Sequence, residues 1–143
     1  MEYKFFLLMR PPTVTAQQHR AIGRGKGKKT ACFDTPELKD AKQKFLAYLM
    51  QHKPEQPMKG PVRLITKWCF PMIRTSKHGQ YKATRPDTDN LIKLFKDCMT
   101  EAGFWHDDAQ VASEITEKFY SDVPGIYVHV MEIPAKEVGA WNA

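Results

Sequence analysis

The sequence predicts an α/β fold of the α+β type: one small domain in which a mixed sheet of about four to five strands packs with two main helices. The chain has 143 residues, which is enough for one hydrophobic core and too few for two ordinary domains. Two segments have apolar residues at helical spacing, between a capping residue and a helix-ending signal. Several other segments alternate between apolar and polar residues, as strands do.

The N-terminal part is predicted to form a strand followed by a basic loop. Residues 3–9 are hydrophobic, and the strand should end where Pro11 and Pro12 follow. Residues 13–33 combine basic side chains with three closely spaced glycines, which free the backbone. We therefore expect a mobile basic loop in this segment.

A helix and a well-alternating strand are predicted next. Thr35 can cap the helix, and Pro36 suits its first turn. The helix should end near residues 51–52, before a turn-rich connector. Residues 62–70 alternate between apolar and polar side chains and are predicted to be a strand.

The remaining strands are predicted in the C-terminal part. Residues 74–82 form a polar connection, which is either a hairpin tip or a mobile loop. Residues 111–120 and 126–133 are strand candidates, and the short turn between them predicts an antiparallel hairpin. The tail from about residue 134 is expected to be peripheral.

The second helix is predicted to start at Asp87 or Thr88, to run to about residue 101 or 102, and to end at Gly103. At about 100° per residue, one face of this helix is apolar and should face the core. That face consists of Leu91, Leu94, Phe95, Cys98 and Ala102. Asp89, Lys93 and Lys96 project from the opposite face.

The composition favours some partners, sites and cellular locations over others. The net charge of +6 favours a polyanionic partner. The three cysteines are widely spaced and form no Cys-x-x-Cys pair, so a disulfide framework or zinc site is not expected. The expected location is a reducing cytoplasm. The hydrophobic N-terminal run is too short for a signal peptide or a membrane span, so no membrane partner is expected.

Two acidic clusters stand out against this basic composition. One contains Asp87 and Asp89, and the other contains Asp107 and Asp108. Carboxylates held close together repel one another, and a bound hard cation such as Mg²⁺ relieves that repulsion. A basic surface that holds phosphates beside an acidic metal site is what a metal-dependent nuclease requires.

Ordinary structural roles are the alternative. Asp89 and Lys93 have the spacing of a surface ion pair on a helix, and Asp87 suits a helix cap. Asp107 and Asp108 suit a turn with capping aspartates. The clusters also flank opposite ends of a helix about 20 Å long. They can meet only if the chain runs back along that helix or if a second copy contributes.

A family resemblance favours the metal site. Residues 85–93 (RPDTDNLIK) and 102–111 (AGFWHDDAQV) closely resemble two motifs of the RusA-type Holliday junction resolvases of bacteria and their phages. The order of the motifs and the gap between them match that family. The resemblance is strong from Arg85 to Val111 and looser over the rest of the chain, and it implies a single RusA-like nuclease domain over residues 1–143.

The resemblance implies a role for each motif residue. Asp87, Asp89 and Asp108 match the essential acids of the family and are expected to hold Mg²⁺, with Mn²⁺ as a substitute. Lys93 matches its essential lysine, and the four residues together are the expected catalytic set. Asp107 is the neighbouring acid, expected to support the site and a possible further ligand. The implied activity is Mg-dependent resolution of four-way DNA junctions by paired symmetric nicks, carried out by a homodimer in recombination and repair.

The DNA contacts are expected to come from basic side chains outside the acidic motifs. The candidates are Arg20, Arg24, Lys26, Lys28, Lys29, Arg74, Lys77, Lys82 and Arg85. Two other functions remain open from the sequence. One is a metal-dependent nuclease that acts on flaps, forks or other branched DNA. The other is a non-catalytic DNA-binding module in which the acids only cap helices and form ion pairs.

Overall fold

The computed structural model describes residues 1–13, 19–22 and 31–138, in which the predicted helices and strands form close to their predicted positions. The elements in chain order are strands β1 (Glu2–Leu7), β2 (His19–Ile22) and β3 (Ala31–Asp34), helix α1 (Pro36–Met50), strand β4 (Val62–Pro71), helix α2 (Thr88–Ala102), a short 3-10 helix (Asp108–Gln110), and strands β5 (Val111–Ser121) and β6 (Gly125–Glu132). The predicted α+β class is confirmed by a four-stranded mixed sheet that packs with the two α-helices of the described residues.

Strand β4 is the centre of the main sheet. The strand order is β1-β6-β4-β5, and β4 pairs antiparallel with β6 and parallel with β5. Alternate side chains of β4 are buried, as predicted, from Val62 to Phe70. Helix α2 lies in the connection between the parallel strands β4 and β5, as is usual for such crossovers.

The predicted hairpin between β5 and β6 is wrong, because β4 lies between these two strands. The connection after Ser121 crosses the end of β4 before Gly125 begins β6. Strand β5 carries charged side chains on both faces, with Lys118 on one and Glu117 on the other. This composition suits a strand at the edge of a sheet.

Two short strands occupy part of the segment that was predicted to be an irregular loop. β2 and β3 pair antiparallel, with Ala21 opposite Cys32. Pairing satisfies their backbone hydrogen-bonding groups, which an irregular chain would leave to solvent. Of the basic residues predicted here to contact DNA, Arg20 lies on β2. The others, Arg24, Lys26, Lys28 and Lys29, lie outside the described residues.

The two helices cover one face of the main sheet and form the core with it. Phe45 of α1 packs edge to face against Trp68 of β4 and Phe95 of α2, with ring centroids 5.9 and 5.1 Å away. Trp68 and Phe95 are 5.3 Å apart and complete a three-ring cluster. The apolar face predicted for α2 is buried along its whole length, so this helix can move little against the sheet.

The helix ends follow the predicted signals. The Thr35 hydroxyl accepts a hydrogen bond from the Leu38 amide at 3.2 Å, which caps α1. Helix α2 ends at Gly103, whose φ of 94° is the left-handed conformation that glycine tolerates best. None of the helices in the described ranges is long and apolar enough to cross a membrane. Residues 134–138 are exposed, and Glu137 pairs with Arg63 at 2.8 Å.

Candidate active site

The first acidic motif lies at the start of α2. Asp87 occupies the N-cap position, where its backbone carbonyl accepts from the Leu91 amide at 3.1 Å. Its carboxylate caps nothing, since no side-chain hydrogen bond to the helix is formed. Asp89 lies in the first turn and is exposed. The role of a simple helix cap therefore does not account for the Asp87 carboxylate.

Lys93 lies one helical turn after Asp89 on the exposed face of α2, as predicted. Within the described part of the chain, no ion pair joins Lys93 to Asp89 or to another acid. The alternative of a surface ion pair is thus not formed. Both charges remain available to a ligand.

The second acidic motif divides its two aspartates between different roles. Asp107 caps the 3-10 helix, because its carboxylate accepts from the Ala109 amide at 2.8 Å. Asp108 begins that helix and is exposed, and its carboxylate has no hydrogen bond or ion pair among the described residues. The turn needs the Asp107 carboxylate and leaves that of Asp108 free.

Gln110 fixes the loop that carries Asp108. Its Oε1 accepts from the backbone amides of His106 at 2.9 Å and Asp107 at 3.1 Å. Its Nε2 donates to the carbonyls of Met58 at 2.9 Å and Gly60 at 3.0 Å. One amide side chain therefore holds the acidic loop to the turn that precedes β4.

Two buried aromatic residues anchor the same loop. Phe104 and Trp105 are 0% and 1% exposed. The Phe104 carbonyl accepts from the Met58 amide at 2.8 Å, and the Trp105 Nε1 donates to the Thr100 hydroxyl at 2.7 Å. Asp108 is consequently presented by a rigid loop and not by a solvated one.

The chain after Gly103 does run back along α2, but the segment that runs back is β5. Asp108 comes earlier in the chain than β5. Lys96 of α2 pairs with Glu114 of β5 at 2.9 Å, and further along β5 the ammonium of Lys118 donates to the Pro86 carbonyl at 2.7 Å. The strand, and not the acidic loop, therefore passes the start of α2.

The carboxylate beside Asp108 belongs to Asp97. Burial raises the pKa of Asp97, and the charge of Asp108 raises it further, against the opposing effect of Lys93. Asp97 lies about 12 Å along the helix axis from Asp89. Across the described residues, no three histidine, cysteine or acidic side chains are grouped as the ligands of a metal would be. One copy of the chain therefore does not gather Asp87, Asp89 and Asp108 into a ready metal site.

Comparison with known proteins identifies the family of this chain. The model of the family described as endodeoxyribonuclease RusA matches residues 11–131. The chain belongs to the RusA family. It is accordingly an endodeoxyribonuclease, and the alternative of a non-catalytic DNA-binding module is not retained.

Two relatives extend along most of the chain. The uncharacterised protein YqaN of Bacillus subtilis (strain 168) is 33% identical over 129 residues, which cover 82% of this chain and 90% of the relative. A crossover junction endodeoxyribonuclease rusA of Lactococcus phage r1t is 28% identical over 134 residues, which cover 92% of this chain and 98% of the relative. The similarity to the RusA family thus extends well beyond the two acidic motifs.

Four of the basic residues predicted to contact DNA precede the first motif in this RusA-family chain. Arg74, Lys77 and Arg85 are exposed. Lys82 is half-buried, and its ammonium lies 5.3 Å from the Phe70 ring centroid. Lys82 thus has a structural contact, whereas the other three side chains face solvent where a DNA backbone could lie.

Two residues at this site were not predicted from the sequence. The sequence predicted Asp97 only as a residue of the second helix. Its spacing of four residues from Lys93, which places both on the exposed side of the helix, was the signal that could have identified it. Lys118 was read only as part of a strand, yet burial lowers the pKa of its ammonium, and the nearby Lys82 lowers it further. A lysine at the inward-facing register of an edge strand was the signal that could have identified it.

Proposed function

We propose that this RusA-family endodeoxyribonuclease is a Mg-dependent, structure-specific enzyme that resolves four-way DNA junctions by paired symmetric nicks. It acts as a homodimer in DNA recombination and repair, in the cytoplasm of a bacterial cell. The name of the Lactococcus phage relative supports the junction substrate. The net charge of +6 is compatible with a highly charged DNA substrate.

One observation carries the proposal: three acids of the motifs keep free carboxylates while their neighbour Asp107 is occupied by capping. Asp87, Asp89 and Asp108 form no side-chain hydrogen bond or ion pair to any residue in the described ranges. Free carboxylates on rigid elements retain their affinity for a cation. Because the elements that carry them are rigid, less conformational entropy is lost when a ligand binds.

The chemistry of these side chains suits Mg²⁺. Carboxylate oxygens are the ligands that this hard cation prefers, and Mn²⁺ accepts the same ligands. Asp87, Asp89 and Asp108 would hold the ion. When bound, the ion would act as a Lewis acid: it would polarise the scissile phosphate and lower the pKa of an attacking water.

The basic side chains act on the phosphates. The Lys93 ammonium, one turn from Asp89, can stabilise the negative charge that develops on the phosphate during hydrolysis. Arg74, Lys77 and Arg85 can bind the DNA backbone on either side of the cut. Arg20, Arg24, Lys26, Lys28 and Lys29 would extend that contact from the N-terminal basic segment.

A second copy is needed for two physical reasons. One copy keeps Asp108 beside Asp97, away from the start of α2, so another copy can bring a second Asp108 to Asp87 and Asp89. A four-way junction also has two-fold symmetry, and two sites related by a two-fold axis can cut opposed strands. We therefore propose sites that combine acids of both copies.

The catalytic assignment is tested by Asp89→Asn, with Asp40→Asn as the matched control. Asp40 is an exposed helical aspartate paired with Lys44, on a different helix. We expect Asp89→Asn to lower junction cleavage in Mg²⁺ by about 10²-fold or more, while Asp40→Asn cleaves at the wild-type rate. Wild-type cleavage by Asp89→Asn would show that Asp89 is not a metal ligand.

The shared site is tested by mixing two inactive variants, Asp89→Asn and Asp108→Asn. If each site takes Asp89 from one copy and Asp108 from the other, mixed dimers contain one intact site, and about a quarter of all sites are restored. Nicking by the mixture, with none by either variant alone, is the expected result. No restoration after subunit exchange, verified by mass spectrometry, would place all ligands in one copy.

The substrate is tested by cleaving a panel that contains a four-way junction, a fork, a flap and a linear duplex. We expect paired nicks at symmetric positions in the junction, and slower single nicks in the fork and flap. Faster cleavage of flaps or forks than of the junction would favour the broader branched-DNA nuclease.

A further inference from the structure

The segment that leads into the first acidic motif is paired with the strand that follows the second. The Gly79 amide donates to the Tyr120 carbonyl at 2.8 Å, and the Tyr120 amide donates to the Gln80 carbonyl at 2.8 Å. The Lys82 amide donates to the Lys118 carbonyl at 2.9 Å. Residues 79–82 thus run along the outer edge of β5, and they fix where the chain toward Asp87 begins.

The side chain of Lys118 extends this connection up to Asp87 itself. Its ammonium donates to the carbonyl of Thr84 at 2.6 Å and to the carbonyl of Pro86 at 2.7 Å. These two carbonyls precede and follow Arg85 and lie immediately before the N-cap of α2. The ammonium therefore defines the backbone path from which the Asp87 carboxylate projects.

Lys118 differs from the other lysine between α2 and β5. Lys96 pairs with the carboxylate of Glu114, which is the usual partner of a lysine in such a position. Lys118 forms no ion pair within the described residues, and backbone carbonyls take two of its three donor hydrogens. Its hydrogen bonds are thus concentrated on the three residues before Asp87.

Lys82 holds the same segment through a second contact. Its ammonium donates to the Thr84 hydroxyl at 2.5 Å and lies 5.1 Å from the Tyr120 ring centroid. Thr84 is therefore bonded through its carbonyl by Lys118 and through its side chain by Lys82. Two such contacts leave the segment little freedom.

We propose that Lys118 is a positioning residue, which holds the backbone of residues 84–86 so that the Asp87 carboxylate points at the metal. This inference rests on the proposed metal site. It assigns no contact between Lys118 and DNA. It predicts an effect on metal binding and on the chemical step that exceeds any effect on stability.

The test compares Lys118→Met with the matched control Lys96→Met. Each variant removes one ammonium from the same boundary between α2 and β5, but only Lys118 contacts the segment before Asp87. Five quantities are measured: the urea midpoint, the amide resonances of residues 84, 85 and 87–89, the Mg²⁺ affinity by calorimetry, kcat in Mg²⁺, and the junction Kd in the absence of metal.

We expect Lys118→Met to shift the amide resonances, to weaken Mg²⁺ binding about fivefold or more and to lower kcat about tenfold or more. Its junction Kd should match that of Lys96→Met, which retains wild-type Mg²⁺ affinity. Lys118→Arg, which still offers two donors, should recover part of the loss. If Lys118→Met does not fold, Lys118→Gln is measured in its place against the same expectations.

Three results would overturn the inference. Equal Mg²⁺ affinity and kcat in the Lys118 and Lys96 variants would reduce Lys118 to a structural contact. Tighter Mg²⁺ binding by Lys118→Met would mean that the ammonium only repels the cation. A wild-type protein that cleaves DNA but binds no Mg²⁺ would refute the metal site, and with it the role of Lys118.

Discussion

Replacing Gln110 with methionine should loosen the loop that presents Asp108 without changing the length of the side chain. Methionine retains the volume of glutamine but provides neither its donor nor its acceptor. The variant leaves the amides of His106 and Asp107 and the carbonyls of Met58 and Gly60 without their side-chain partner. The expected result is a loss of stability together with a loss of cleavage.

The magnitude follows from the four hydrogen bonds. Three of them are exposed to solvent, so water can replace the glutamine, and the bond to the Met58 carbonyl is partly buried. At about 0.5 kcal/mol for each exposed bond and about 1 kcal/mol for the partly buried one, the free energy of unfolding falls by about 2.5 kcal/mol. In a chain of 143 residues, this corresponds to a decrease of about 10 °C in Tm.

Urea unfolding, followed through the fluorescence of the buried Trp68 and Trp105, measures the change. Gln43→Met on the exposed face of α1 is the matched control and should stay within about 0.5 kcal/mol of the wild type. Junction cleavage by Gln110→Met should fall even at temperatures where the variant is folded. A Gln110→Met protein as stable as Gln43→Met would refute the anchoring role.

Gln110→Glu separates the accepting and donating halves of the side chain. Its carboxylate can still accept from the two amides, but it faces the carbonyls of Met58 and Gly60 with no proton to donate. Protonation restores one donor, so this variant should regain stability relative to the wild type as the pH falls below about 5. A pH-independent difference between Gln110→Glu and the wild type would contradict the assigned orientation of the amide.

Three further predictions concern the helix end, a titrating acid and the proposed DNA-binding surface. Gly103→Ala forces alanine to adopt a φ of 94° and should lower the urea-derived stability by about 1 kcal/mol; an unchanged midpoint would contradict it. The pKa of Asp97 is raised in the folded protein, so its contribution to stability is complete in acid and is lost as the pH rises through that pKa. Asp97→Asn should therefore have a higher Tm than the wild type at pH 7, with a gap that closes toward about pH 3; a gap independent of pH would refute this. Replacing Arg74 and Lys77 with alanine should reduce the salt dependence of the logarithm of junction affinity by about 2 without changing kcat, and an unchanged slope would exclude phosphate contacts.

Local signals in the sequence predicted the helices and strands well. Thr35 and Gly103 mark helix ends because a capping hydroxyl and a left-handed glycine act within one turn of chain. The alternation around Trp68 predicted a strand with one buried face for the same reason. Each of these signals depends on residues that are close in sequence.

The sheet order and the site geometry depend on contacts that are distant in sequence. A short turn between β5 and β6 suggested a hairpin. The strand β4 lies between them instead, and this central position buries its apolar side chains. The residues expected at the site came from the resemblance to RusA-type resolvases. Neither the motifs nor their spacing indicated that Asp108 would lie beside Asp97, or that Lys118 would contact Pro86.

The pairing of residues 79–82 with β5 divides the connection between β4 and α2 into two parts with different tolerance to change. The part from residue 79 onward is fixed to the strand, so its length determines where Asp87 stands. Residues 72–77 precede that fixed part and are mostly exposed. A change of length or charge in this outer part should therefore leave the position of Asp87 unchanged, whereas an insertion after residue 79 should displace it.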